Sequence, residues 1–266
     1  MVFSINHDLH IHSQLSSCSA DPLQNTQAIL DYAKQNNYDY LCLTDHYWDE
    51  KVPGASNWYM PQNTPHIEKA LPLPQDEKVH FYFGCETDMD KYGTIGISPE
   101  TIDKLDFVII PTTHLHMNGF TIAEEDRTVE KRTELYVWRF NHLLDMDLPF
   151  HKIGVAHLTC PLMARDNPDD HIKVLNNIDD ATFTELFEKA SKKGIGIELN
   201  FNYPIASEED RNATLRPYRI AKKCGCKFYF GSDAHHPDTL AGALNRFTAI
   251  RDDLGLEESD KFNPFN

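Results

Sequence analysis

Seven short apolar runs, each ending in a histidine or a carboxylate, constrain what this chain can fold into more than any other feature. The first runs from Ser4 to His12 and carries the stretch DLHIHS. The second is Tyr40 to Leu43, closing on Asp45 and His46. The third is Val79 to Phe83, closing on Glu86. DFVIIPTTH ends at His114, and KIGVAHLT leads to His157. GIGIELNFN ends with Glu198 and Asn200, and CKFYFGSDAHH closes on Asp233 and His235. Near-continuous apolar runs of this length suit strands buried on both faces, as in a parallel sheet.

Helical patterns separate these runs. Leu23, Ile29, Leu30 and Ala33 mark the first. DDATFTELFEKASKKG is a second, with Asp180 as N-cap and Thr182 with Glu185 as an alternative capping box. Its apolar stripe is Phe183, Leu186, Phe187 and Ala190, and Gly194 supplies a left-handed C-cap. Leu215 to Lys223 forms another, and Asp238 starts a last helix through Leu240, Leu244, Phe247 and Ile250. Strands alternating with helices give βαβ units. Seven strands with polar C-terminal ends predict an α/β fold, a closed (β/α)7 TIM-like barrel over residues 1–266 as a single domain, with its chemistry at the C-terminal rim. At such a rim, residues scattered from 10 to 235 converge on one mouth. Residues 47–78 and 115–150 are too long for simple loops. They read either as lid elements that shape substrate access or as packing on the barrel top.

The charge balance excludes several functions. With 41 acidic and 25 basic residues, the formal net charge is −16. Nucleic-acid binding draws its affinity from Lys and Arg at phosphates, so neither DNA nor RNA is an expected partner. An acidic chain also docks poorly on anionic membranes, and no apolar run is long enough to span one. The same acidity suits a protein that gathers cations. The six cysteines (Cys18, Cys42, Cys85, Cys160, Cys224 and Cys226) form no regular framework. With no basic and apolar leader at the N-terminus, they point to reduced thiols in a cytoplasmic protein. Nothing in the sequence sets an oligomeric state.

In a strand, alternate side chains share a face, so His10 and His12 look one way and Ile11 the other. Two converging imidazoles make half a tetrahedral metal site, although the pair alone reads equally well as solvated histidines. The rest of the pattern decides. DLHIHS, TDH at Thr44 to His46, GCE at Gly84 to Glu86, the strand-end histidines His114 and His157, and GSDAHH at Gly231 to His236 together resemble the PHP (polymerase and histidinol phosphatase) superfamily. They occur in that family's order across nearly the whole chain.

The resemblance implies a distorted (β/α)7 barrel, up to three divalent metals (zinc, manganese or iron) and hydrolysis of a small phosphorylated substrate. By it, His10, His12, Glu86 and Asp233 bind the first metal. Glu86, as a bridge, binds the second with His114 and His157. His46 and His235 hold the third with a residue of the loop after His12, where this chain offers Cys18 or Asp21; Cys18 reads equally as an inert thiol. His116 competes with His114, which is nearer its strand. Glu86 and Asp233 are the catalytic carboxylates. Among the arginines, Arg165 is the first choice for the phosphate, ahead of Arg127, Arg132 and Arg216. Asp45 orients His46 or holds the turn. His7 and His236 flank the ligand motifs as donors to them, and Glu198 and Asn200 either line the site or serve the fold. His66, His80, His142, His151 and His171 read as solvated or packed. The expected activity is that of a histidinol-phosphatase-like phosphoesterase acting on histidinol phosphate or on a nucleotide or sugar phosphate. An amidohydrolase and a non-catalytic scaffold are the alternatives.

Overall fold

The computed structural model describes the chain except residues 168, 202–204, 206 and 266. Three parallel strands, β1 (His7–Ile11), β2 (Tyr40–Leu43) and β3 (His80–Phe83), form one sheet in that order. Five more form a second: β4 (Cys85–Glu86), β5 (Val108–Ile109), β6 (Ile153–Val155), β7 (Gly196–Leu199) and β8 (Lys227–Phe230), again parallel and in chain order. The fold is thus α/β with parallel strands.

The third apolar run appears as two strands because it changes partner at Gly84. The Gly84 N–H donates to the Leu43 carbonyl (2.8 Å), while the Cys85 N–H donates to Phe107 (3.2 Å). A Cβ on Gly84 would lie 2.2 Å from the Phe107 carbonyl oxygen, so only glycine lets the backbones approach this closely. The two sheets also meet through isolated parallel bridges. Ile11 pairs with Ala234, and His46 pairs with Glu86. Around the first, His12 N–H donates to Ala234 (3.0 Å) and Asp233 N–H to His10 (2.7 Å). Around the second, Glu86 N–H donates to Asp45 (3.1 Å) and Tyr47 N–H to Glu86 (2.8 Å).

The helices differ from the sequence expectation mainly at their ends. α1 (Thr26–Gln35) begins after Asn25, whose side chain caps Ala28 N–H, and leaves Leu23 exposed outside it. Two single-turn helices follow, α2 (Thr64–Ile67) and α3 (Pro99–Ile102), and then α4 (Val129–Asp145) in the second long connection. After α5 (Asp170–Asn177), α6 (Asp180–Lys193) is capped by Asp179, not Asp180 or Thr182. The Asp179 carboxylate accepts from Thr182 N–H, while Asp180 lies inside the first turn; Gly194 takes the expected left-handed cap at φ 75°. α7 (Glu208–Lys223) starts well before Leu215, behind a Ser207 cap. The last predicted helix is two, α8 (Pro237–Ala241) and α9 (Ala243–Leu254), broken at Gly242.

Two apolar clusters hold these layers. The larger joins the helices to the sheets. The smaller draws Leu9 and Cys42 from one sheet and Ile109 and Tyr229 from the other, with Phe107, Ala156 and Phe262. Leu9 lies in the smaller cluster and Ile11 in the larger, because β1 shifts register between Asp8 and Ile11. That irregularity rephases the alternation at the strand end. In the second connection, buried Arg139 of α4 donates to the carbonyls of Met89 (2.7 Å), Thr112 (2.8 Å), Asp90 (3.1 Å) and Thr121 (3.1 Å), tying the helix to the chain beyond β4 and β5.

Candidate metal centre

Every strand that the sequence ends in a histidine or carboxylate, the Glu198 and Asn200 strand partly excepted, delivers that group to one buried place. A continuous band of imidazoles crosses it. Ring centroids are 4.1 Å apart for His12 and His235, 4.3 Å for His12 and His46, and 5.1 Å for His10 and His12. The band continues from His10 to His157 (5.2 Å), His114 (4.8 Å) and His116 (5.2 Å). Glu86, fully buried, lies among them. Its Oε2 is 3.4 Å from Nε2 of both His10 and His12 and 2.9 Å from His46 Nδ1, and its Oε1 is 3.2 Å from His157 Nε2. Two ligand-bearing residues, His157 (φ 63°) and Asp233 (φ 53°), hold left-handed backbone conformations. Such conformations cost energy in non-glycine residues and recur at functional sites.

Ligand atoms within 4.8 Å of one another fall into four groups: His10, His12, Glu86 and Asp233; Glu86, His114 and His157; His12, His46 and His235; and His10, His157 and Glu198. In the first, five of the six donor–donor distances lie near those of a tetrahedral site. Two donors about 2.05 Å from a shared zinc ion lie about 3.4 Å apart at the tetrahedral angle. Here His10 Nε2 is 3.0 Å from His12 Nε2, 3.4 Å from Glu86 Oε2 and 3.4 Å from Asp233 Oδ1, while His12 Nε2 is 3.4 and 3.2 Å from the same two carboxylates. Three buried ligand atoms, Glu86 Oε2, His46 Nδ1 and His114 Nε2, have no hydrogen-bond partner despite their near neighbours. Buried polar atoms without partners are costly, and cations held by the groups they belong to would satisfy them. The residues present therefore fit a metal.

Supporting groups fix the outer ring nitrogens. Glu198 Oε1 lies 2.5 Å from His10 Nδ1, and its Oε2 accepts from His157 N–H (3.2 Å). Glu198 thus stands behind His10 rather than lining the open space. Asp88 Oδ2 lies 3.1 Å from His114 Nδ1, and the Asp233 carbonyl 2.9 Å from His235 Nδ1. Carboxylate or carbonyl behind a ligating imidazole is the usual way a protein orients it. Asp45 holds the turn, accepting from Ser13 N–H and Oγ (both 2.7 Å) and from Ser16 Oγ (2.7 Å).

The field inside the cluster is strong. Burial opposes charge throughout, yet His10 and His46 beside Glu86 hold that carboxyl well below its ordinary range. Against the same burial, His10 and His157 hold Asp233 far below its own. Burial is likewise overcome at His10 by Glu198, Glu86 and Asp233, which carry its pKa well above 6.5; His12 is raised too. His235 moves the other way, down to about 3, through burial and the charge on His12. Paired shifts of opposite sign in one cleft mark functional sites.

Above the cluster opens a cavity of about 390 Å³, lined by Glu86, Asp88, His46, His114, His157, Asp233 and His235, and walled by Cys18, Trp58, Tyr59, His116, Met117, Leu162 and Arg165. Trp58 and Tyr59 come from the first long connection and His116 and Met117 from the second, so both overhang the mouth. Arg165 stands exposed on the wall. The other arginines are committed elsewhere: Arg127 to Asp166 and Glu124, buried Arg132 to Asp166 and the Leu115 and Met163 carbonyls, and Arg216 to Asp180 and Ile178. Cys18 reaches the wall but joins none of the four ligand groups among the described residues, and Asp21 pairs with His236 (3.2 Å). His12 stands with His46 and His235 where the resemblance implied Cys18 or Asp21. His7 is turned away: its Nε2 accepts from Phe230 N–H (3.1 Å) and its ring stacks on Tyr40, so it serves the fold. Asn200 does not line the cavity.

Asp88 was not anticipated. Its position two residues beyond Glu86, in extended chain, is the signal that could have found it.

A family model of the PHP domain matches residues 8–202. The chain belongs to the PHP domain family. A search of curated proteins finds no match. Among solved structures, the chain is similar to the crystal structure of a histidinol phosphate phosphatase from Lactococcus lactis subsp. lactis Il1403, complexed with zinc, L-histidinol and phosphate. The TM-score is 0.66 and the identity 16%, covering 98% of this chain and 98% of that one. At that identity the likeness shows a shared fold. In this PHP domain, no described helix is long and apolar enough to cross a membrane.

Proposed function

We propose that the chain is a metal-dependent phosphoesterase that hydrolyses a small phosphomonoester. The observation that supports the reading is that two ligand groups match the sites the resemblance implies and a third shares His46 and His235 with it, all beside one cavity. His10, His12, Glu86 and Asp233 would hold one cation, Glu86, His114 and His157 a second, and His46 with His235 a third. The mixed imidazole and carboxylate set suits zinc, manganese or iron. Bound there, such cations would neutralise phosphoryl oxygens and lower the pKa of a bound water to about 7.

The chain's own residues do the rest. Glu86 offers one oxygen to each of two groups and sets their separation. Asp233, the more exposed carboxylate, lines the cavity, and its Oδ2 lies 3.8 Å from His157 Nε2. Arg165 meets a phosphate oxygen from the wall, and Trp58, Tyr59, Met117 and Leu162 exclude water around the leaving group. The zinc, histidinol and phosphate held by the Lactococcus enzyme make histidinol phosphate the first substrate to try, with nucleotide and sugar phosphates next. The two bridged seams between the sheets support a (β/α)7 barrel closed as a single domain over 1–266, and the six free cysteines support a cytoplasmic setting. An amidohydrolase with a carbamylated lysine bridge is disfavoured because no lysine lines the cavity among the described residues. A scaffold is disfavoured because the residues of the first two ligand groups are all present.

The test is a phosphate-release assay with histidinol phosphate, p-nitrophenyl phosphate and a panel of phosphorylated metabolites. Turnover abolished by chelator and restored by zinc, manganese or iron is expected. No turnover of any phosphoester after reloading refutes the proposal.

A further inference from the structure

We infer that Ser16 is a positioning residue that fixes the tautomer of His12 and so commits its Nε2 to the first metal group. This rests on the metalloenzyme reading above. Ser16 is 1% exposed, and its hydroxyl has three polar neighbours: Asp45 Oδ1 at 2.7 Å, His12 Nδ1 at 2.9 Å and His46 N at 3.1 Å.

A hydroxyl has one proton to donate and lone pairs for two acceptances. The Asp45 carboxylate can only accept, and it already takes two bonds from Ser13. The His46 backbone N–H can only donate. The Ser16 proton therefore goes to Asp45, and both its lone pairs are left to receive. His12 must then donate from Nδ1, and a neutral imidazole with its proton on Nδ1 has a bare lone pair on Nε2. That Nε2 is the atom within 3.0–3.4 Å of His10, Glu86 and Asp233. Glu198 acts the same way on His10, so two bare Nε2 atoms face each other at 3.0 Å. Such a contact is repulsive unless a proton or a metal cation sits between them.

Two consequences follow. One lone pair serves one cation, so His12 cannot complete both the first group and the group with His46 and His235. The third position then has two imidazoles of its own. The same hydroxyl also receives the His46 backbone N–H, so a single side chain registers the loop after β1 against both groups. Ser16 comes from the segment QLSSCS, which shows no such role in sequence.

The test combines nitrogen-15 histidine labelling with metal titration. In metal-free protein, at a pH high enough to leave the imidazole neutral, long-range proton–nitrogen correlation should show His12 protonated on Nδ1. In zinc-loaded protein, His12 should keep that proton while Nε2 carries the zinc shift. Ser16→Ala should weaken zinc binding at this group by about 10- to 100-fold in chelator competition. Ser16→Thr, which keeps the hydroxyl, should restore it, with near-ultraviolet circular dichroism reporting that each variant is folded. A neutral His12 protonated on Nε2 alone in the wild type overturns the proposal whether or not the variants fold. So does Ser16→Ala binding zinc as tightly as the wild type. A wild type that binds no zinc, with His12 protonated on Nδ1, overturns the metalloenzyme reading and leaves the tautomer assignment standing.

Discussion

Replacing Glu198 by Gln preserves shape and burial while removing one acceptor from the support behind His10. Both carboxylate oxygens are used: Oε1 receives His10 Nδ1–H, and Oε2 receives His157 N–H. Glutamine offers one oxygen and one NH2. If the oxygen faces His10, the NH2 meets the His157 N–H, and two buried donors are left facing each other. Leaving buried donors unsatisfied costs about 1–3 kcal/mol. If the amide flips, its NH2 faces His10 Nδ1, which must then accept. The His10 proton moves to Nε2 and the ligand atom is lost. Loss of such outer support lowers metal affinity by about 10- to 100-fold, or about 1.4–2.7 kcal/mol. Glu198→Gln therefore loses at least about 1 kcal/mol in one of two measurements. These are urea unfolding of metal-free protein and chelator competition for zinc. A variant within about 0.5 kcal/mol of wild type in both, the usual range for a neutral surface change, refutes the reasoning.

Three further outcomes are expected. A Cβ on Gly231 would lie 2.3 Å from Glu198 Oε1 and 2.5 Å from His10 Cβ; Gly231→Ala should lower stability by about 1–3 kcal/mol and zinc affinity with it, and wild-type values for both would show that Glu198 is not held there. Burial, with Lys261 nearby, lowers the His7 pKa to about 3, and a proton on Nε2 would also meet the Phe230 N–H. Below pH 6.5 the unfolded chain takes up a proton that the folded chain refuses. Stability is thus fully present above 6.5 and falls as pH drops towards about 3, with a slope of up to about 1.4 kcal/mol per pH unit. Urea unfolding of His7→Gln should lack this part of the slope, and an unchanged slope would contradict it. Arg165→Ala should raise KM for a phosphomonoester by about 10- to 100-fold, the worth of a charge-assisted bond; steady-state kinetics with KM unchanged would remove Arg165 from phosphate binding.

The strand ends were legible because two simple periods meet there. Continuous apolar runs announce strands buried on both faces, and the polar residue closing each run marks the rim. That is why His10, His12, Glu86, His114, His157 and Asp233 could be put at strand ends from the sequence pattern, while their grouping as ligands came from the family resemblance. Helix termini were less legible. Asp179 and Asp180 both cap well in isolation, and only the turn geometry separates them. Gly242 breaks a helix that periodicity alone joins to its neighbour. Gly84 hid a change of strand partner, which depends on how near Phe107 comes from elsewhere in the chain. Ser16 and Asp88 act through partners distant in sequence, Asp45 for one and His114 and Tyr59 for the other. No local pattern names such partners, although the spacing of two from Glu86 puts Asp88 on the same face. The resemblance offered Cys18 or Asp21 from the loop after His12, but Ser16 is the residue of that loop that reaches His12.

The central claim is that imidazoles and carboxylates from separate strands converge to hold cations. Anomalous diffraction at the zinc edge from crystals of zinc-loaded protein tests it most directly. One peak is expected within bonding distance of His10 Nε2, His12 Nε2, Glu86 and Asp233, and a second between Glu86, His114 and His157. Density maps with these side chains ordered and no anomalous peak among them would contradict the account.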